Sequence, residues 1–274
     1  MMDVCFGDAS ARFLALLAQE PALLVSVAAT QGSAPREAGA WMAVFAGAVI
    51  GTIGGGHLEH QAMALARARL AAGQLTPMMR QRFALGPSLG QCCGGVVYLD
   101  FAPVSARDRP ALAQRLRAEL TPVALFGAGH VAQALVRVLA GLPFGVHWMD
   151  SREDVFPALV PAQTQCELSV PVQGAVPALA PQSRVLIMSF SHAEDLEVLA
   201  ACLQRQRERA DLPYIGLIGS RSKWATFQRR LQARGFTPDE LAQVTCPIGV
   251  AGISGKAPDV IAVAAAAQLL QTLG

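Results

Sequence analysis

The chain is 274 residues long, with 22 basic and 20 acidic side chains giving a net charge of +2, 53% hydrophobic residues and only 15% charged ones. That length suits two ordinary domains, each able to bury its own core, and the hydrophobic share excludes a disordered chain. Charges of both signs are spread along the sequence and form no basic stripe that would follow a phosphate backbone, so nucleic acid is not an expected partner.

The opening stretch, MMDVCFGDASARF, has no basic run leading into a long apolar one, and no later segment reaches the roughly 18 apolar residues of a membrane span. The expectation is a cytoplasmic protein without membrane contact. Cys5, Cys166, Cys202 and Cys246 are isolated, Cys92 and Cys93 are adjacent, and no C-x-x-C occurs. Neither a disulfide framework nor a structural zinc site is readable from that spacing.

In chain order, residues 10 to 19 carry apolar positions at helical spacing behind Ser10 as a helix-capping residue, and Pro21 ends the segment. Short apolar runs follow, LLVSVAAT, AWMAVFA and AVIGTI, separated by Gly, Ser and Pro, and they predict strands joined by loops. Residues 58 to 72 contain no helix breaker before Gly73, which predicts a helix starting just after the triple glycine at 54 to 56. MMRQRFAL and VVYLDF then bracket a Gly-rich stretch around Cys92 and Cys93.

The pattern changes near residues 102 to 121, which places a domain boundary at 105/106. From Pro122 the order is strand VALFGAG, helix VAQALVRVLAGL, strand VHWMD, strand RVLIMSF, helix DLEVLAACLQ, strand YIGLIG and helix KWATFQRRLQAR. Strand and helix alternating at this spacing predict an α/β protein. A smaller α+β domain (1–105) is followed by a Rossmann-type, doubly wound parallel sheet (106–274).

Gly127-Ala128-Gly129-His130-Val131-Ala132 follows a strand and opens a helix, and Asp150 ends the next strand 23 residues after Gly127. This matches a dinucleotide-binding turn with Ala at the third small position. Gly127 permits the tight turn, Gly129 lets a phosphate approach the backbone, and Asp150 is placed to accept from a ribose or pterin hydroxyl. A second anion candidate is Gly216-Leu217-Ile218-Gly219-Ser220-Arg221-Ser222-Lys223, a strand end running into a helix, whose hydroxyl and cationic groups suit an anion or are simply solvated surface charges. Gly249 to Lys256 fails as a P-loop, because Val250 stands where the first Gly is required and Ala257 replaces the magnesium-binding hydroxyl.

In the first domain, Gly54, Gly55 and Gly56 present bare amides at a helix start with Glu59 in the first turn, an arrangement suited to a ligand or simply to a flexible turn. His57 and His60 lack a third metal ligand at sensible spacing. Gln91-Cys92-Cys93-Gly94-Gly95 sets two thiols in a Gly-rich loop, where they suit contact with a soft metal or transferred sulfur, or serve as inert core fillers. His192 follows RVLIMSF and is placed to orient a ligand at the sheet edge or to serve as a hydrogen-bonded structural residue.

Taken in order, GSAPREAGAWM, GTIGGGHLE, LGQCCGG, FGAGHVAQAL, LPFGVHWMDSRED, YIGLIGSRSKWATFQRRL and CPIGVAGISGKAPDVIAVAAAAQLL resemble the XdhC/CoxI family of xanthine dehydrogenase accessory proteins, from about residue 24 to the C-terminus. The resemblance implies binding of molybdenum cofactor (molybdopterin), support of its sulfuration, and delivery to an apo molybdenum hydroxylase of the xanthine dehydrogenase type. It also implies a homodimer, contact with a cysteine desulfurase, and a chaperone's role rather than an enzyme's. Carried onto this chain, the cofactor-binding positions are Gly54, Gly55, Gly56, Glu59, Gln91, Cys92, Cys93, Gly127, Gly129, Asp150, Gly219, Ser220 and Lys223. A nucleotide in the Rossmann site is the alternative occupant, and the cofactor is expected to meet both domains.

The main rival is an NAD(P)-dependent oxidoreductase using the same turn and Asp150, but no Tyr-x-x-x-Lys pair is present and His192 has no readable partner. A nucleotide-sensing regulatory protein is the third reading.

Overall fold

Alternation of apolar side chains along one long strand organises the first half of the protein. The structure is a computed structural model and describes residues 9–73, 76, 78–85, 94–116 and 120–273. In β1 (Ala22–Gln31), Leu23, Val25 and Val27 belong to one hydrophobic cluster and Ala22 and Leu24 to another, as the two-residue period of a strand requires. β1 pairs antiparallel with β2 (Trp41–Val44) and β5 (Val96–Val104), while β3 (Val49–Gly51) and β4 (Met78–Ala84) form the edges, giving the order β3-β2-β1-β5-β4. Leu24 faces Ala43 on one side and Ala102 on the other.

Both faces of this sheet are covered. α2 (Gly56–Ala71) lays Leu58, Ala62 and Ala66, spaced one helical turn apart, against Leu23, Val25 and Val27. α1 (Ala9–Leu17) and α3 (Arg109–Arg115) bury Phe13, Leu17 and Leu112 with Leu24, Ala43 and Phe45. Each such fully buried Leu or Phe contributes about 1.5–3 kcal/mol. Ser10 lies inside α1, one residue past its start. Because α3 packs on this core, the N-terminal unit continues past the expected break at 105/106.

The second unit begins with β6 (Thr121–Phe126), α4 (His130–Leu139), β7 (Phe144–Asp150) and β8 (Thr164–Leu168). It continues with β9 (Arg184–Ile187), α5 (His192–Arg209), β10 (Tyr214–Leu217), α6 (Arg221–Gln232), α7 (Pro238–Leu241), β11 (Val244–Thr245) and α8 (Pro258–Leu270). All neighbours are parallel and the order is β11-β10-β9-β6-β7-β8. Counted within the unit, that is the 3-2-1-4-5-6 order of two mononucleotide-binding halves, and the strand order reverses at β6 and β9. Val123 and Leu125 pack toward α4 and α8, and Ala124 and Phe126 toward α5, so the central strand is buried on both faces.

The expected α/β architecture with a Rossmann-type sheet is therefore present. Four of its elements go beyond the expectation, among them the single-turn α7. β8 (TQCEL) and β11 (two residues) are edge strands, too polar or too short to stand out, and α8 is an Ala-rich helix behind Pro258 that buries Ala262, Ala265, Ala266 and Leu269. No helix among the described residues is long and apolar enough to cross a membrane.

Candidate functional site at the carboxyl edge of the parallel sheet

The turn between β6 and α4 sits where the strand order reverses, the place in such sheets where ligands bind. Gly127 has φ +106°, and a Cβ built on it would lie 2.1 Å from the Met188 carbonyl oxygen, so no side chain fits as β6 passes the end of β9. Its N–H donates to the Met149 carbonyl at 2.7 Å, and its carbonyl accepts from the buried Trp148 indole N–H at 2.8 Å. The turn is therefore fixed from inside. Gly129 caps α4 with φ −74° and ψ −179°, a conformation open to any residue, but a Cβ there would meet nothing within 4 Å. No side chain caps α4 and its first turn holds no acid, whereas α5, α6 and α7 are closed by Ser191, Ser220 and Thr237. Its leading amides thus carry the helix's positive end toward open space, the geometry that binds a phosphate.

Asp150 does not stand free beside them. Its carboxylate is 1% exposed, and all four of its acceptor positions are used. The Ala128 N–H donates to Oδ2 at 2.6 Å, the Arg152 N–H to Oδ1 at 2.9 Å, and the Arg152 side chain to both oxygens at 3.0 and 2.9 Å. Burial raises the Asp150 pKa, but Arg152 and the two backbone N–H groups outweigh it and hold the carboxyl below its ordinary value. The hydroxyl-accepting role expected of Asp150 is thus taken by the chain itself, and Arg152 is what reaches outward, 39% exposed. Its guanidinium lies over the ring of Phe190, 5.0 Å from the centroid. Ser151 donates to Glu194 at 2.5 Å beside this pair.

The second anion candidate is likewise turned inward. Lys223 Nζ donates to the buried Asp195 at 2.5 Å and to the Ile218 carbonyl at 2.8 Å, and Asp195 also accepts from the Ser189 N–H. Ser220 accepts from the Lys223 N–H as the cap of α6. Gly219 leaves room for the lysine stem, since a Cβ there would lie 2.7 Å from Lys223 Cδ. Lys223 therefore ties the β9–α5 connection to the β10–α6 connection instead of facing a ligand. His192 opens α5, exposed, with its ring edge-on to Phe227 at 6.3 Å between centroids. Ser189 Oγ, next to the glycine turn, is buried without a hydrogen-bond partner. Beyond β11, the stretch that fails as a P-loop walls an apolar cavity of about 350 Å³ edged by Arg221.

In the N-terminal unit, the glycine loop closes on its own carboxylate. Glu59 Oε2 accepts from the Ile53 N–H at 3.1 Å, the Gly55 N–H at 3.0 Å and the Thr52 hydroxyl at 2.5 Å. Gly54, Gly55 and Gly56 have φ of +117°, +74° and +64°, and a Cβ on Gly54 would lie 2.4 Å from Pro35 Cβ. The glycines are required by the turn, and Glu59 occupies the anion position their amides create. His57 and His60 stand 6.5 Å apart between ring centroids. Gln91, Cys92 and Cys93 lie outside the described residues. Of the other thiols, burial pushes Cys202 up to about 12, Cys246 up to about 11, and Cys166 above its ordinary value.

Sequence reasoning did not single out Arg152, Phe190 or Asp195. A basic residue two positions after the strand-ending acid was the available signal for Arg152, whereas the Asp195–Lys223 pair joins residues 28 apart and had none.

A six-stranded sheet in dinucleotide-binding order, with a glycine turn at an uncapped helix and a separate antiparallel α+β unit, defines a two-unit protein built around a Rossmann domain. The chain belongs to the XdhC and CoxI family. The pattern described as the XdhC Rossmann domain matches residues 123–269, just over half of the chain, and that of the XdhC and CoxI family matches residues 15–83. The chain is similar to YqeB of Escherichia coli (strain K12), described as uncharacterized, with 27% identity over 259 residues; these are 92% of this chain and 43% of that protein. It thus spans less than half of that curated relative. The same fold occurs in a crystal structure described as a xanthine dehydrogenase (BH1974) from Bacillus halodurans, with TM-score 0.76 and 20% identity over 96% of this chain and 95% of that one.

Proposed function

We propose that the protein binds molybdenum cofactor, supports its sulfuration and delivers it to an apo molybdenum hydroxylase of the xanthine dehydrogenase type. The observation that carries this reading is the open, uncapped amide turn at Gly127–Gly129 in a Rossmann domain of this family. Molybdenum cofactor is the cargo, and it carries a phosphate, a pterin and a labile metal–sulfur centre. The phosphate suits the α4 amides, where a side chain at 129 would otherwise approach it. Cys92 and Cys93 supply the soft donors that would meet molybdenum or accept sulfur from a cysteine desulfurase. Delivery to a partner enzyme and assembly as a homodimer belong to the same proposal.

The test incubates purified protein with molybdenum cofactor released anaerobically from a purified hydroxylase, then adds apo-hydroxylase and follows its turnover. The proposal expects stoichiometric retention of cofactor on gel filtration and faster activation than with free cofactor. Loss of cofactor in the void-free fraction, together with activation no faster than the control, refutes it. Cys92→Ala with Cys93→Ala separates the thiol role from carriage: retained binding with lost sulfuration is expected, and unchanged sulfuration removes the thiols from the mechanism.

A second reading places a nucleotide at the same turn, and the 3-2-1-4-5-6 strand order favours it. Binding of NAD⁺ or NADP⁺ with no retention of molybdenum cofactor would decide for it.

A further inference from the structure

In the usual form of this fold the carboxylate ending the second strand reads ribose hydroxyls. Here Asp150 has no acceptor position left, so that end of the site must read its ligand by another group. Arg152 is the group the structure offers. Two of its five N–H donors go to Asp150 in a bidentate fork, which fixes the guanidinium plane, and the remaining donors on Nη1 and Nη2 have no partner among the described residues. Phe190, 59% exposed and placed just after β9, lies against the guanidinium at 5.0 Å. Leu168, exposed at 49%, ends β8 opposite Asp150 in the strand register, and Val170, exposed at 75%, follows two residues later. Arg152 is thus an immobilised, partly exposed cation with an exposed aromatic ring against one face.

The charge around this surface decides what it takes. Asp150 and Glu194 are anionic, Glu153 and Asp154 follow in sequence, and Arg152 is the cation among them. Lys223, at the β10–α6 connection, is already paired with Asp195. A second phosphate placed here would meet more negative than positive charge, while an uncharged ring would meet a stacking plane.

We infer that the open face of the Arg152 guanidinium, held flat by Asp150 and backed by Phe190, is the platform on which the planar, uncharged heterocycle of the bound molecule stacks. The inference rests on the reading above that the molecule's phosphate lies at the Gly127–Gly129 turn. The shared chemistry is a pterin or purine ring attached to a phosphate, and the ring is selected over one bearing an additional phosphate on its sugar.

The test measures binding by calorimetry to the full chain, wild type, Arg152→Lys and Phe190→Leu, using four probes: anaerobically released molybdenum cofactor, NAD⁺, NADP⁺ and inorganic pyrophosphate. Arg152→Lys keeps the charge and loses the plane, so ring-bearing probes should weaken roughly ten-fold, within the range of a cation–π contact, while pyrophosphate is unchanged. NADP⁺ should bind more weakly than NAD⁺. Equal losses for pyrophosphate and ring-bearing probes would make Arg152 a simple anion contact and overturn the inference, as would NADP⁺ binding tighter than NAD⁺ or no binding by any probe. Should Arg152→Lys unfold, Phe190→Leu decides: it leaves the Asp150 pair intact, and weaker ring binding supports the platform whereas wild-type affinity removes it. If NAD⁺ responds to these variants but molybdenum cofactor never binds, the platform stands and the carrier proposal fails. If the cofactor binds and is delivered regardless of residue 152, the reverse holds.

Discussion

Gly127 and Gly129 look alike in the sequence, and the structure separates them by several kcal/mol. Alanine at 127 would have to adopt φ near +106°, far from the region open to L-residues, which costs about 1–2 kcal/mol. Its methyl would also lie 2.1 Å from the Met188 carbonyl oxygen and 2.8 Å from the Ser189 Cα. Those are backbone atoms, so relief requires the end of β9 to move away from β6, an overpacking cost of about 1–3 kcal/mol. The expected loss for Gly127→Ala is therefore about 2–5 kcal/mol, a large fraction of an ordinary domain's 5–15. Gly129→Ala meets open space at φ −74° and should cost no more than about 1 kcal/mol, yet its methyl stands where the phosphate is proposed to approach. Urea unfolding of both variants followed by near-ultraviolet circular dichroism, with phosphate-ligand binding measured in parallel, tests the split. A Gly127→Ala loss below 1 kcal/mol, or a Gly129→Ala variant that binds as wild type, would refute the reasoning.

Lys223→Met should destabilise by about 3 kcal/mol or more, because Asp195 would be left buried without its counter-charge; thermal melting of the single variant against Lys223→Met/Asp195→Asn, expected to recover part of the loss, checks this. The Asp150 carboxyl is held below its unfolded value, so its contribution to stability is complete above about pH 4 and disappears as pH falls through the lower folded value. Denaturation midpoints taken from pH 6 to pH 2 should fall more steeply for wild type than for Asp150→Asn, and parallel curves would exclude Asp150 as the source. Cys202 and Cys246, raised to about 12 and about 11, should alkylate with iodoacetamide at pH 7.5 much more slowly than glutathione, as mapped by peptide mass spectrometry; rapid labelling of either would contradict its environment.

What could be read before the structure was whatever depends on neighbours in sequence. The β6–turn–α4 unit is legible because a tight turn between a strand and a helix demands glycine locally, and the acid at 150 follows from the length of one crossover. The role of that acid is not local. It depends on Arg152 folding back, on the Ala128 N–H arriving from the neighbouring turn, and on Phe190 arriving from β9, none of which has a spacing to recognise. Lys223 illustrates the converse error: a cation at a helix start invites an anion, but the anion is Asp195 of the preceding helix. β8 escaped notice because an edge strand, half-solvated and helped by a His147–Glu167 contact at 2.7 Å, has no need of an apolar run.

The loop at 52–59 has a consequence for chemistry in the first unit. Because Glu59 is attached to the chain whose amides it satisfies, it acts as a tethered competitor at an effective concentration of millimolar order, present before any solute arrives. A weakly held metabolite phosphate at micromolar levels would never dislodge it. Only a guest that also engages other groups would win that exchange, and its arrival would be signalled by the release of Thr52 and the displaced carboxylate into water.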